Sequence, residues 1–345
     1  MSAAMSKRGR RWLNLSLLLL GLGALVYMVF EFGVEKVGAT MLSTWDAMLV
    51  AVAVSSTGLV LGAIVWHRLL PPRIRPPFVS LLPPHLAGYA LNRLLPTGNA
   101  GEVVKVALLN GVVPIAESSA SLVVATVFGS LAGQFAAVVA AIVALVVLPF
   151  PTWVGVVMLV VALSFALVTV GALLLLRAGL LQKMTAFFEK RRRLRGLGRL
   201  LAKTARFDDA LRETSRMKRS DTLFVMGLLL LVRVIHVLAA SVIVSAVLPE
   251  KGYGECLLIA FVLVTTAQLV RWVFAVIPSG LGAVEGSSAF LLHALGLSEA
   301  MGLSIALVQR VAGLVLPALC LLFLLRTVRR TTAGPEAGTD ADEEI

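Results

Sequence analysis

Apolar runs of membrane-crossing length follow one another along this chain, and the polar positions fall into the gaps between them. The runs cover 12–30, 47–66, 118–176, 222–248 and 303–325, and PFPT at 149–152 divides the third into two. A helix of about 20 apolar residues crosses a ~30 Å hydrocarbon layer and satisfies its own backbone where water is absent. Six crossings are therefore predicted. The run from Trp12 to Phe30 is too long for an ordinary signal-peptide core and lacks a small-residue cleavage site after it, so it reads as the first of them. Two segments remain, 76–117 and 256–300, and each is interrupted by a Pro-Gly-Glu stretch: PTGNAGE at 96–102 and PSGLGAVEG at 278–286.

Charge assigns sides to this pattern. Lys7, Arg8, Arg10 and Arg11 precede the first run, Arg68, Arg73 and Arg75 follow the second, and Arg326, Arg329 and Arg330 follow the last. The segment 177–219 carries 14 Lys or Arg against four acids. Basic loops stay in the cytoplasm, which puts both termini and this segment inside, and Lys36 and Lys251 outside. The leftover segments then fit only as hairpins that enter and leave on one side, 76–117 from the cytoplasm and 256–300 from outside. Broken segments of opposite entry are a mark of inverted-repeat transporters. The predicted fold class is an all-α, polytopic integral membrane protein with about six spanning helices plus two re-entrant hairpins in an inverted repeat, the Pro-Gly-Glu tips meeting near the bilayer middle.

Composition agrees, since 59% hydrophobic residues and a mean hydropathy of +0.94 lie outside the range of a water-soluble globule. The domain reading is a basic cytoplasmic N-terminus at 1–11, a transmembrane domain at 12–328 containing the linker 177–219, and a disordered acidic tail at 329–345. The formal net charge of +12 does not point to nucleic acid. The linker has no zinc spacing and no helix-turn-helix pattern, while Leu194, Leu197, Leu200 and Leu201 recur at helical spacing, as in an amphipathic helix on an anionic lipid surface. Cys256 and Cys320 sit in or beside apolar runs and read as packing residues.

The ionisable residues inside the apolar segments carry the chemistry. A charge in hydrocarbon costs at least ~2.5 kcal/mol and is kept for a task or a partner. Arg93, Glu102 and Lys105 belong to the first hairpin, and the i,i+3 spacing of the last two suits an ion pair. Arg271 lies seven residues before Pro278 and Glu285 seven after it, with His293, Gln309 and Arg310 beyond; Arg233 and His236 lie on the span between the hairpins. Five bases (Arg93, Lys105, Arg233, Arg271, Arg310) thus face two acids (Glu102, Glu285), which leaves positive charge for an anionic guest. Glycine-rich turns running into helix N-termini add backbone donors suited to phosphate. Arg271 and Arg310 are the expected headgroup contacts, with Glu102 and Glu285 gating or pairing with them. The turn residues Pro96, Gly98, Gly101, Pro278, Gly280 and Gly282 shape the backbone. His67, His85, His236 and His293 form no HExxH-type pair, so no catalytic residue, metal or cofactor is expected.

These motifs resemble the flippase-like transmembrane domain of lysylphosphatidylglycerol synthases. Asn92, Pro96, Gly101, Glu102 and Lys105 match one pattern of that family, and Pro278, Gly280, Gly282, Glu285 and Arg310 match the second. The resemblance implies lipid translocation by a stand-alone member of the family, here of a lipid with an anionic or phosphate-bearing headgroup in the cell (plasma or inner) membrane. Two departures bear on the substrate. The stretch ATVFGSLAGQ at 125–134 has no charge where relatives carry an acidic–Arg pair, and the chain as given ends at Ile345 without a soluble aminoacyl-transferase domain. A membrane transferase using Glu285 as base with Arg310 on a phosphate, and a small-molecule secondary transporter, remain alternatives. Expected partners are the lipid, the anionic surface under the linker, and either further copies of the chain or a separate lipid-synthesis enzyme.

Overall fold

The computed structural model describes residues 34–94, 100–177, 207, 209–211, 213–214, 217–277 and 280–332. The expected first crossing at 12–30, most of the basic linker with its leucine repeat, the acidic tail, and the turn residues Pro96, Gly98 and Pro278 lie outside these residues.

Every regular element among the described residues is helical: α1 (Val34–Ser43), α2 (Trp45–Leu69), α3 (Phe78–Leu94), α4 (Ala100–Leu109), α5 (Ile115–Val146), α6 (Thr152–Arg177), α7 (Arg219–Val247), α8 (Tyr253–Val273), α9 (Ala283–Ala294) and α10 (Glu299–Thr332), with a short 3-10 turn at Pro72–Ile74. Six of them, α2, α5, α6, α7, α8 and α10, are long and apolar enough to cross a membrane. The chain is a polytopic all-α membrane protein. The set differs from expectation in one member. The limb of the second hairpin that the sequence reading began near 256 is a helix of crossing length, because its charges, Glu255 and Arg271, both stand near its ends.

Besides α1 with its 10 residues, the short helices are α3 with 17 residues, α4 with 10 and α9 with 12, the last three about 26, 15 and 18 Å at 1.5 Å per residue. None reaches across ~30 Å. They come in matching places. In each half a short helix carries its glutamate at the third position, Glu102 in α4 and Glu285 in α9, and ends in a turn at a glycine with positive φ, Gly111 (93°) and Gly296 (74°). A long helix follows in both cases, α5 with 32 residues and α10 with 34. The resemblance between PTGNAGE and PSGLGAVEG thus extends to the layout of whole segments.

Packing is tightest where side chains are small. Ala137, Ala140, Ala141 and Ala144 on α5 are buried in the main core with Ala239, Ala240, Ile243 and Val244 of α7 and Ile259, Ala260 and Leu263 of α8. Small residues let helix backbones approach where apolar transfer gives no gain over lipid. At the α9–α10 crossing a Cβ on Gly302 would stand 2.4 Å from the Ser288 carbonyl oxygen, so only glycine fits. By contrast α6 turns Val156, Val157, Val160, Leu163, Leu167 and Val168 outward, as a helix facing acyl chains does. Both cysteines are buried and unbridged, as expected of packing residues. The described end of the basic linker does not lie free on a surface. Ala210 and Leu211 are buried against Val65, Leu69, Ala120, Val124 and Val225, and Arg73 bonds Glu213 at 2.6 Å.

Candidate functional site

The first motif closes on itself. Asn92, on the last turn of α3, accepts the Gly101 backbone N–H at 2.7 Å through Oδ1 and donates from Nδ2 to Glu102 Oε1 at 2.8 Å. It thereby ties the first turn of α4, whose N–H groups have no partner within the helix, back to α3. Lys105 donates to the same carboxylate oxygen at 2.9 Å, and the i,i+3 pair is present as expected. Lys105 is buried, with its ammonium 5.8 Å from the centre of the Trp66 ring. The crossing of α3 and α4 admits no side chain at Gly101, where a Cβ would stand 1.9 Å from the Gly88 carbonyl oxygen. Glu102 is thus engaged within its own hairpin by Asn92 and Lys105, and the expectation that it pairs with the distant arginines gives way to this local arrangement.

The second motif is built differently. The chain leaves α8 through a turn in which Gly280 and Gly282 adopt φ of 61° and 78°, conformations open to glycine at little cost. Gly282 is the N-cap of α9, and Glu285 reaches back to accept its N–H at 2.9 Å. The other carboxylate oxygen holds the guanidinium of Arg310 on α10. Glu285 is completely buried, which its two partners make tolerable.

Four arginines from four helices converge beside this turn. Arg93 of α3, Arg233 of α7 and Arg310 of α10 all lie within electrostatic range of Arg271 of α8, and Glu285 is the acid in range. His236 lies within electrostatic range of Arg93, Arg233 and Arg271. Arg233 is the central residue of α7 and donates to Gln268 Oε1 and, at 3.0 Å, to the Gly129 carbonyl oxygen on α5. Because Gln268 precedes Arg271 by less than one turn, the C-terminal end of α8 comes to the middle of α7. Arg93, at the end of α3, reaches the same place. Both interrupted segments therefore deliver a charged end to the centre of the bundle.

The uncharged stretch 125–134 has a role in this arrangement. A Cβ at Gly133 would stand 2.3 Å from Gln268 Nε2 and 3.0 Å from Arg233 Nη2, so this face of α5 must be bare to admit the pair. Gly129, Gly133 and Gln268 were not foreseen as site residues. The GSLAG spacing, a small-xxx-small pattern at 129–133, was the available signal. Arg93 is exposed and its guanidinium lies 5.8 Å from the Tyr89 ring centre. Arg271 is also exposed, and Val273, Phe274 and Val276 beyond it present apolar side chains outward. His293 instead pairs with Glu299 at 3.2 Å at the α9–α10 turn, away from the arginines along both helices.

A family model described as the lysylphosphatidylglycerol synthase TM region matches residues 13–320. The chain belongs to that family. No curated protein gives a significant match to the chain. As a member of the family it is related to proteins of lipid handling, and both motifs and all four arginines lie inside the matched region.

Proposed function

We propose that this family member is a flippase that moves a lipid with an anionic, phosphate-bearing headgroup between leaflets of the cell membrane, with both termini cytoplasmic. The observation that carries this reading is the convergence of Arg93, Arg233, Arg271 and Arg310 at mid-bundle around the single carboxylate of Glu285. Guanidinium groups grip phosphate through paired N–H donors. A lipid, rather than a soluble anion, suits the surroundings of Arg271. Exposed Val273, Phe274 and Val276 adjoin it, so a headgroup can reach the arginines while its acyl chains stay on an apolar surface.

In this reading the hairpin ending at Arg93 serves access from the cytoplasmic leaflet and the turn after Arg271 serves access from the outer one. The matched layout of the two halves supports such a division. The test is leaflet exchange of labelled anionic lipids in proteoliposomes, with the wild type compared with Arg271→Ala. Exchange well above protein-free vesicles, lost in the variant, is the expected result. Equal rates in both would reject the proposal.

A further inference from the structure

The balance of charge at the site narrows the lipid further, on the footing that the flippase reading holds. Among the described residues, the salt bridges include neither Arg93 nor Arg233 nor Arg271. The contact partners of Arg93 and Arg233 among the described residues are neutral: the Tyr89 ring for the first, and Gln268 with the Gly129 carbonyl for the second. Glu285 attracts Arg271 from a distance, but its two oxygens are already held by Arg310 and by the Gly282 N–H. Glu102, the acid of the first hairpin, is occupied by Asn92 and Lys105. Three guanidinium charges thus lie within electrostatic range of one another, none with a carboxylate of its own among the described residues, and each raises the cost of the other two.

We infer that the headgroup is a phosphate monoester or a pyrophosphate carrying about two or more negative charges and no ammonium group. A phosphodiester such as phosphatidylglycerol offsets only one of the three guanidinium charges. Lysylphosphatidylglycerol, whose name the family bears, adds ammonium groups to that single negative charge. Its headgroup would bring positive charge to a place where, among the described residues, the acids Glu102 and Glu285 already have partners. The bare face at Gly129 and Gly133 belongs to the same arrangement, since it admits a guanidinium where an acid would have offered an ammonium a partner.

The test uses the full chain in proteoliposomes with three labelled probes of equal acyl composition: phosphatidic acid as the monoester, phosphatidylglycerol, and lysylphosphatidylglycerol. A parallel arm measures uptake of labelled inorganic pyrophosphate. Phosphatidic acid is expected to exchange at least ~10-fold faster than phosphatidylglycerol, a difference of about 1.4 kcal/mol, with lysylphosphatidylglycerol at the protein-free rate. Arg271→Gln and Arg93→Gln should each lower the ratio between the first two. Lysylphosphatidylglycerol exchanging as fast as phosphatidic acid would overturn the inference while leaving the flippase reading standing. Exchange of no lipid, with phosphatidic acid still raising the melting temperature more than the other two, would reject the flippase reading and uphold the monoester site. Exchange of no lipid without that selective shift, or pyrophosphate uptake in place of lipid exchange, would overturn both.

Discussion

Glu285 and Arg310 sit on consecutive helices and join them at the level of the arginine cluster, the carboxylate fully buried and the guanidinium largely so. The other oxygen of Glu285 caps α9 through the Gly282 N–H, so one side chain sets both the start of α9 and its position against α10. Removing one partner of such a pair leaves a buried charge alone and costs about 3–5 kcal/mol, whereas removing both charges together costs far less. Arg310→Ala is therefore expected to melt markedly earlier in detergent, and Glu285→Gln/Arg310→Ala to recover much of the difference. A thermal-unfolding double-mutant cycle reads the coupling. Strictly additive losses would show that the pair does not act as a unit.

Arg271 is the opposite case, and it separates binding from folding more cleanly. Its electrostatic neighbours are three arginines against one acid, so its loss relieves repulsion. Arg271→Ala should hold or raise the melting temperature while reducing leaflet exchange at least ~10-fold, the loss of one charge-assisted grip of about 1.5–3 kcal/mol. Arg271→Lys should restore exchange only in part, because a point charge does not reproduce a bidentate contact. A fall in stability equal to that of Arg310→Ala would make Arg271 a structural residue.

Sidedness follows from charge, and cysteine labelling in intact cells tests it. Cys256 and Cys320 are both buried, so a background with both replaced by alanine is the starting point. Lys251→Cys should react with an impermeant reagent added outside, and Leu200→Cys should react only after permeabilisation. The reverse pattern would invert the whole arrangement, including which leaflet each hairpin faces.

Five of the expected crossings, now α2, α5, α6, α7 and α10, were legible in the sequence because bilayer thickness sets a length that acts on contiguous residues. The Lys105–Glu102 pair was legible for the same reason, being one helical turn long. The Glu285–Arg310 pair was among the expected pairings, but the choice of Arg310 over Arg271 was not legible, since Arg310 is 25 residues away and becomes adjacent only when α9 folds back on α10. Arg233 shows the limit more sharply. Its charge was visible, but its hold on Gln268 and the Gly129 carbonyl depends on how α5, α7 and α8 meet. Crowding at Gly88, Gly101 and Gly302 is likewise a property of two backbones, and a glycine on one of them does not disclose the other. The full length of α8 is not legible in the sequence because Arg271 interrupts the apolar run near its end, although a charge at a helix end does not shorten the helix.

Gly101 directly precedes the glutamate of the first motif and Gly280 follows the proline of the second by two residues, and the structure makes them fail differently. A Cβ at 101 meets the Gly88 carbonyl oxygen at 1.9 Å and Asn92 Oδ1 at 2.5 Å, which drives α3 from α4 and breaks the bond that starts α4. The first neighbour is backbone and cannot turn aside, and the second is the side-chain oxygen that accepts the Gly101 N–H. A Cβ at 280 meets Val284 Cγ2 at 3.1 Å and Arg271 Cγ at 3.2 Å, side chains that can give by a few tenths of an ångström, but the φ of 61° remains costly by roughly 1–2 kcal/mol. Gly101→Ala should thus lower the yield of folded protein and block loading from the cytoplasmic leaflet. Gly280→Ala should fold, displace Arg271, and slow release to the outer leaflet, so that lipid accumulates on the purified protein. Mass spectrometry of co-purified lipid, with melting temperature measured on the same samples, distinguishes the two. More lipid retained by Gly280→Ala than by wild type is the expected outcome. Wild-type exchange rates in both variants would mean that the paired motifs are structural turns with no part in moving the headgroup.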